Sequence, residues 1–209
     1  MKLKITLLLT SVLVMVFSIW YFSYSPSCDG IDVSHYNTIN ESTEGIDQIN
    51  FIIAKATEGS DHIDTKYLKH KKYAYENGIK FGAYHFLSKI SPIADQFENY
   101  KRVVGKDIDI IPCLDIEQIN GKHWGRGEAR KAVKEWSTLC LDYYGKYPII
   151  YCNDFYRIFY FSDMLNQFWI SNWHTRPFTK CAIHQYSNND ETIDHNHLLT
   201  DLENICLTK

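Results

Sequence analysis

Short apolar runs recur along this chain, and the early ones are separated by helix-patterned stretches; no other feature narrows the fold as much. The strand-like runs are Gly30–Val33, Asn50–Thr57, Ile79–Leu87, Ile110–Glu117, Tyr147–Cys152, Gln167–Trp173, Cys181–Ser187 and Thr192–Asn196. Helical character falls at Thr65–Asn77, Pro92–Val104, Gly127–Tyr144 and roughly Asp154–Phe161. Apolar runs joined by helices of this length indicate βαβ units and a parallel sheet. Gly78, Gly105 and Gly145 sit just past three of the helices, where a left-handed cap favours glycine. Eight strand candidates suggest a barrel, yet a full (β/α)8 barrel takes about 250 residues. The chain has 209. The shortfall is visible: only His174–Lys180 and Asn188–Glu191 separate the last three runs, too little for helical crossovers. The expectation is an α/β fold, a trimmed TIM-like barrel in which late strands follow one another with little helix between. The direction of those last strands is left open by the pattern.

The first segment reads as a targeting or anchoring element. Lys2 and Lys4 precede an apolar stretch from Ile5 to Phe22 that ends in Trp20, Tyr21 and Phe22, without an Ala-x-Ala cleavage site. Its length approaches a membrane span and its aromatic end suits an interface. Residues 1–27 are therefore expected to be a signal peptide or N-terminal membrane anchor plus short linker, with one domain over residues 28–209. Either way the body is exported. Removing Lys2 and Lys4 from the 22 basic residues leaves 20 against 25 acidic ones. That balance disfavours a nucleic-acid surface, which needs a basic stripe. Six cysteines (Cys28, Cys113, Cys140, Cys152, Cys181, Cys206) fit an oxidising compartment and permit up to three bridges. Cys113 and Cys152 also suit small buried positions.

In a parallel barrel, the carboxyl ends of the strands converge on one mouth. The residues there are Asp32, Lys55 and Glu58, Tyr84 and His85, Asp115 and Glu117, and Tyr151 and Asn153. Ordinary strands end in turn formers rather than in a succession of charged and aromatic residues. The sharpest run is Ile110-Ile-Pro-Cys-Leu-Asp-Ile-Glu117. Alternation along a strand puts Asp115 and Glu117 on one face, with Leu114 and Ile116 on the other. Two confined carboxylates cannot both ionise cheaply, so one keeps a proton. A carboxylic acid beside an ionised partner is what glycosidic cleavage requires. The competing reading is a solvated strand end that happens to be acidic.

Beyond that pair, Gly30-Ile-Asp-Val-Ser-His-Tyr36, Phe51-Ile-Ile-Ala-Lys-Ala-Thr-Glu-Gly59, Phe81-Gly-Ala-Tyr-His-Phe86, Pro112-Cys-Leu-Asp-Ile-Glu117 and Ile193-Asp-His-Asn196 follow in order. With Trp169-Ile-Ser-Asn-Trp173 and Gln185-Tyr186, this series resembles glycoside hydrolase family 25, the Chalaropsis-type lysozymes. The resemblance spans Asp29 to Leu202. It implies a (β/α)5β3 barrel and hydrolysis of the β-1,4 bond between N-acetylmuramic acid and N-acetylglucosamine, with neither metal nor organic cofactor. It matches Glu117 to the family's proton donor, and Asp32, Asp115 and Asp194 to its other acidic residues. The chain departs from the family in having His184 before Gln-Tyr, where tryptophan is common, and in a short stretch between Tyr186 and Asp194; both departures are expected near the sugar-binding rim.

On this reading Glu117 protonates the leaving oxygen. Asp115 stabilises the developing positive charge or orients the substrate's N-acetyl group. Asp32 and Asp194 hold sugar or water. Lys55 lowers a neighbouring carboxylate's pKa or forms an inward salt bridge; Tyr84, Tyr151 and Trp173 stack on sugars or pack the core; His85 lines the mouth or is a structural histidine. Gln185 and Asn196 complete the substrate-binding set. The partner is the glycan strand of bacterial peptidoglycan, with no nucleic acid, membrane contact only through the N-terminal segment, and a monomeric protein. His195 and His197 flank Asn196 on the opposite strand face without an obvious third ligand, so no metal is assigned. There is no Gly-rich phosphate loop. The alternative is a barrel that grips cell-wall glycan without cutting it; a metal-dependent deacetylase, which would need an Asp/His metal set, is a third class.

Overall fold

The computed structural model describes residues 27–40, 43, 46, 48–118, 123–187 and 193–207. Its strands are β1 Gly30–Val33, β2 Phe51–Glu58, β3 His62–Ile63, β4 Lys80–Phe86, β5 Cys113–Asp115, β6 Ile149–Asn153, β7 Phe168–Ser171, β8 Ile183–Ser187 and β9 Asp194–Leu198. They form one sheet in the order β1-β9-β8-β7-β6-β5-β4-β2-β3, and the pairing of β1 with β2 closes it into an eight-stranded barrel. β3 adds only a short antiparallel lip to the end of β2. Each neighbouring pair from β1 through β2, β4, β5, β6 and β7 to β8 is parallel. Of the eight described barrel strands, β9 is the one that runs antiparallel to its neighbours, β8 and β1. Thus the strand directions that the sequence leaves open are resolved as two parallel strands and a reversed closing one. The N-terminal segment, for which an anchor or signal is expected, lies outside the described residues. Among the described residues no helix is long and apolar enough to cross a membrane.

Four helices are described: α1 Tyr67–Glu76, α2 Ile93–Val104, α3 Arg126–Tyr144 and α4 Asp154–Phe159. α3 shows why they form where they do. Glu128 reaches back to accept from the Gly125 backbone N–H at 3.3 Å, satisfying one donor at its start. At its end, Gly145 takes the left-handed conformation at φ 75° and its N–H bonds the Leu141 carbonyl. Between them Ala129, Ala132, Val133, Trp136 and Cys140 recur at helical spacing and are buried against the barrel. The parallel step from β7 to β8 runs through residues 172–182 without a helix. Polar ties hold it instead: Asn172 Nδ2 and the Phe178 backbone N–H both donate to Asp154.

Alternation along the strands sorts side chains into two layers. On β2, Ile52, Ala54 and Ala56 face the helices, while Phe51 and Ile53 fill the barrel with Ile110, Cys113, Ile149, Trp169 and Ile183. Two strands yield space to that filling. A Cβ on Gly30 would lie 2.4 Å from Phe51 Cζ, and one on Gly82 would lie 2.9 Å from Ile110 Cβ. The expected strand Ile110–Glu117 is shorter than its pattern. Pro112 has no N–H to give a ladder, so regular pairing starts at Cys113, and Ile110 makes only a lone bridge to Cys206. All six cysteines stand as free thiols, so the bridges their number permits are not formed.

Candidate active site

The carboxyl ends of the parallel strands open on one mouth, and acidic side chains gather there. Asp32 ends its inward-facing run on β1 and pairs in register with Asp194, the first residue of the reversed β9. Because β9 runs backwards, its first residue arrives where the other strands finish. Asp115 closes β5 opposite Tyr151 of β6, and Glu117 follows two residues later. Leu114 and Ile116 are fully buried in the outer layer, so Asp115 and Glu117 share the inward face. Only 6% of Asp115 and 8% of Asp32 is exposed, which rules out a solvated strand end.

Burial sets the electrostatics. Asp115 is pushed well above the usual carboxylate range, first by desolvation and then by the Glu117 charge, with Lys55 opposing. Desolvation also raises Glu117; Lys55 offsets part of this and Asp194 adds to it. Asp32 is raised by burial and by Asp194, while hydrogen bonds from Asn196 and Gln185 pull the other way. Such a cluster titrates as a unit, holding protons at a pH where isolated carboxyls are ionised. Lys55, 8% exposed, donates to Glu58 Oε2 at 2.7 Å and supplies the cation that opposes the upward shifts of Asp115 and Glu117. Asp115 Oδ1 is buried and accepts no hydrogen bond from the described residues. An acid and a carboxylate side by side at an open mouth can protonate a leaving group while opposing a positive charge.

The structure does not bring every expected residue to the mouth. His85 is a correction. It follows inward-facing Tyr84, so alternation turns it outward, where it is fully buried. Its ring stacks on Trp136 at 4.5 Å and bonds Thr57 Oγ1 and Gln96 Oε1. Burial lowers it to about 4, and it is a neutral structural histidine. His184 is likewise outward, buried and bonded to the Asn172 carbonyl, so that departure from the family pattern lies off the rim. Asn153 caps α4 by accepting from the Tyr156 N–H. His197 bonds Asp29 on the outer face.

A connected hydrogen-bond network lines the inner wall. Gln185 Nε2 donates to Asp32 Oδ2 at 3.0 Å and to Asp194 Oδ2 at 3.4 Å. Gln185 Oε1 accepts from Tyr151 Oη at 2.9 Å and from Trp173 Nε1 at 3.2 Å. Asn196 Nδ2 donates to Asp32 Oδ2 at 2.8 Å, and its Oδ1 accepts from Trp169 Nε1 at 2.7 Å. Tyr84 and Tyr151 meet Trp169 edge-on, which makes them wall rather than free platforms. Trp173 is half-exposed at the rim, open to a flat ligand.

The sequence profile described as Glycosyl hydrolases family 25 matches residues 31–195, a span that runs from β1 into β9 and takes in all four acids. The chain belongs to glycosyl hydrolases family 25. A structure of a family 25 glycosyl hydrolase from Bacillus anthracis superposes with a TM-score of 0.76 at 24% identity, covering 88% of this chain and 94% of that one. By sequence the chain is 28% identical over 159 residues to the protein YegX of Escherichia coli strain K12, covering 70% of this chain and 57% of that one. It is 32% identical over 124 residues to Lysozyme M1 of Streptomyces globisporus, covering 56% of this chain and 41% of that one. The chain thus spans about half the length of these curated relatives.

Trp169 is part of this inner wall, through its bond to Asn196, and has no role in the reading of the sequence. The signal was present: Trp169, Ser171 and Trp173 are two apart, so Trp169 shares the inward face of β7 and its extension.

Proposed function

We propose that this family 25 protein is a peptidoglycan hydrolase that cleaves the β-1,4 bond between N-acetylmuramic acid and N-acetylglucosamine. The observation that carries the reading is the Asp115–Glu117 pair at the barrel mouth, the first buried and the second half-buried, with both carboxyls raised and Lys55 opposing both shifts. Glu117 gives its proton to the glycosidic oxygen as the carbon–oxygen bond breaks. Asp115 opposes the oxocarbenium-like charge or steers the substrate N-acetyl group to the anomeric carbon; its unpartnered Oδ1 favours the steering role. Water then completes the hydrolysis and returns a proton to Glu117. Asp32 and Asp194 hold the floor of the sugar site through Gln185 and Asn196, and Trp173 offers a face to the glycan. The chain works on the wall as a monomer without metal or organic cofactor. The segment from Lys2 to Phe22 delivers it across the membrane, as a retained anchor or a cleaved signal ahead of the domain at 28–209.

Mass analysis of peptidoglycan fragments tests this. New reducing ends should be N-acetylmuramic acid; N-acetylglucosamine ends would refute the bond assignment. Glu117→Gln should lower the rate by about 10²–10⁴-fold. A wild-type protein that sediments with peptidoglycan yet releases no reducing ends would make the barrel a binding module.

A further inference from the structure

We propose that the indole N–H groups of Trp169 and Trp173 are positioning donors, which lock the Asn196 and Gln185 amides with their NH2 ends toward Asp32 and Asp194. The proposal rests on the reading of this mouth as a catalytic site. A side-chain amide can turn over at little cost unless its partners forbid it. Indole N–H can only donate. With Trp169 Nε1 at 2.7 Å, the near atom of Asn196 must be its oxygen, so Nδ2 must face Asp32. Gln185 is held by two donors of different character. The Tyr151 hydroxyl could serve either amide orientation by donating or accepting, whereas Trp173 Nε1 permits only one. Trp173 therefore holds the orientation of Gln185, and Trp169 that of Asn196, even when Asp32 carries a proton and no longer demands a donor.

The consequence falls on Asp32, whose Oδ2 receives both amide donors. Locked donors serve an ionised carboxylate and offer nothing to a carboxylic acid proton. Once the Trp169 donor is removed, Asn196 can turn its carbonyl toward Asp32 and accept that proton. The other titratable groups around Asp32 are unchanged by this: Asp194 on β9, Asp115 at the end of β5 and Glu117 just beyond it, Cys113 below them, and Tyr84 and Tyr151 on the flanking strands. The expected result is an upward move of the Asp32 titration midpoint by about half to one pH unit, the weight of one hydrogen bond.

The test uses the full chain with the Asp32 carboxyl followed by carbon NMR through a pH titration. Trp169 is replaced by benzothienylalanine, which keeps the bicyclic shape and lacks the N–H; Trp169→Phe serves as a second variant. The same replacement is made in an Asn196→Ala background, where no amide remains to be oriented. A rise in the first background that vanishes in the second supports the lock. No rise, or an equal rise in both, overturns it, since a packing role alone would lower the melting temperature without that pattern. The readout needs no substrate. A protein whose Asp32 midpoint moves as expected but which releases no glycan fragments keeps the lock and loses the hydrolase reading; active protein with an unmoved midpoint does the reverse.

Discussion

Gly30→Ala tests how the barrel is filled beneath the acids. The added Cβ would sit 2.4–2.5 Å from three ring carbons of Phe51. Carbon atoms in contact rest at about 3.5–4.0 Å, so the overlap is roughly 1 Å. Phe51 is fully buried and paired in register with Gly30, so neither partner has an empty side to move into. Such overpacking costs about 1–3 kcal/mol. Gly30 is not among the positive-φ glycines, so alanine also returns about 0.4–1 kcal/mol by restricting the unfolded chain. The net loss, up to about 2.6 kcal/mol, should lower the melting temperature by up to about 10 °C for a chain of this size. Phe51→Leu alone also destabilises, but it vacates the space the methyl needs. The double variant should therefore be more stable than the two losses added together, by at least about 0.5 kcal/mol. Thermal unfolding followed by circular dichroism reads all four proteins. A raised melting temperature for Gly30→Ala, or strict additivity in the double variant, would refute the packing argument.

Three further outcomes follow from the site. Asp115→Asn should abolish glycan release yet stabilise the fold at pH 7 by about 0.5–2 kcal/mol; because the native carboxyl is raised, the gain exists above the usual carboxylate range and disappears below about pH 4, where Asp115 is protonated folded or unfolded, as pH-dependent denaturant titrations would show. His85→Gln should leave the KM for glycan unchanged and flatten the loss of stability on acidification. Burial holds His85 at about 4 against 6.5 when free, so wild type loses about 3 kcal/mol as pH falls through that window and the variant does not. Lys55→Met removes the cation that opposes protonation of Asp115 and Glu117; the acid limb of the pH–rate profile should move up by about one unit, and an unmoved limb would show that Lys55 serves only Glu58.

The barrel was legible because its residues obey simple periods. Strands such as Gly30–Val33 and the Ile93–Val104 helix fall within a residue or two of their patterns. The Asp115–Glu117 pair was legible for the same reason, since spacing by two fixes a shared face. A residue's position along a strand does not by itself give the side it takes. His85 stands at a strand end, but its neighbour Tyr84 already claims the inward direction. Glu117 lies two residues beyond the ladder, which ends at Asp115. The direction of β9 could not be read, because a run of apolar and polar residues has the same period in either sense. The amide network was hidden for a deeper reason: it joins Asp32 to Gln185 and Asn196 across more than 150 positions of sequence, and no spacing rule reaches that far.

The unbridged cysteines carry a practical consequence. Cys113, Cys140 and Cys152 are fully enclosed, and burial pushes each thiol up, away from the reactive thiolate. Cys28 and Cys206 are only partly covered. Pulse alkylation should therefore tag Cys28 and Cys206 early, and reach the three enclosed thiols and the buried Cys181 only through opening of the barrel, so the speed of that second phase clocks how often the molecule comes apart in plain buffer.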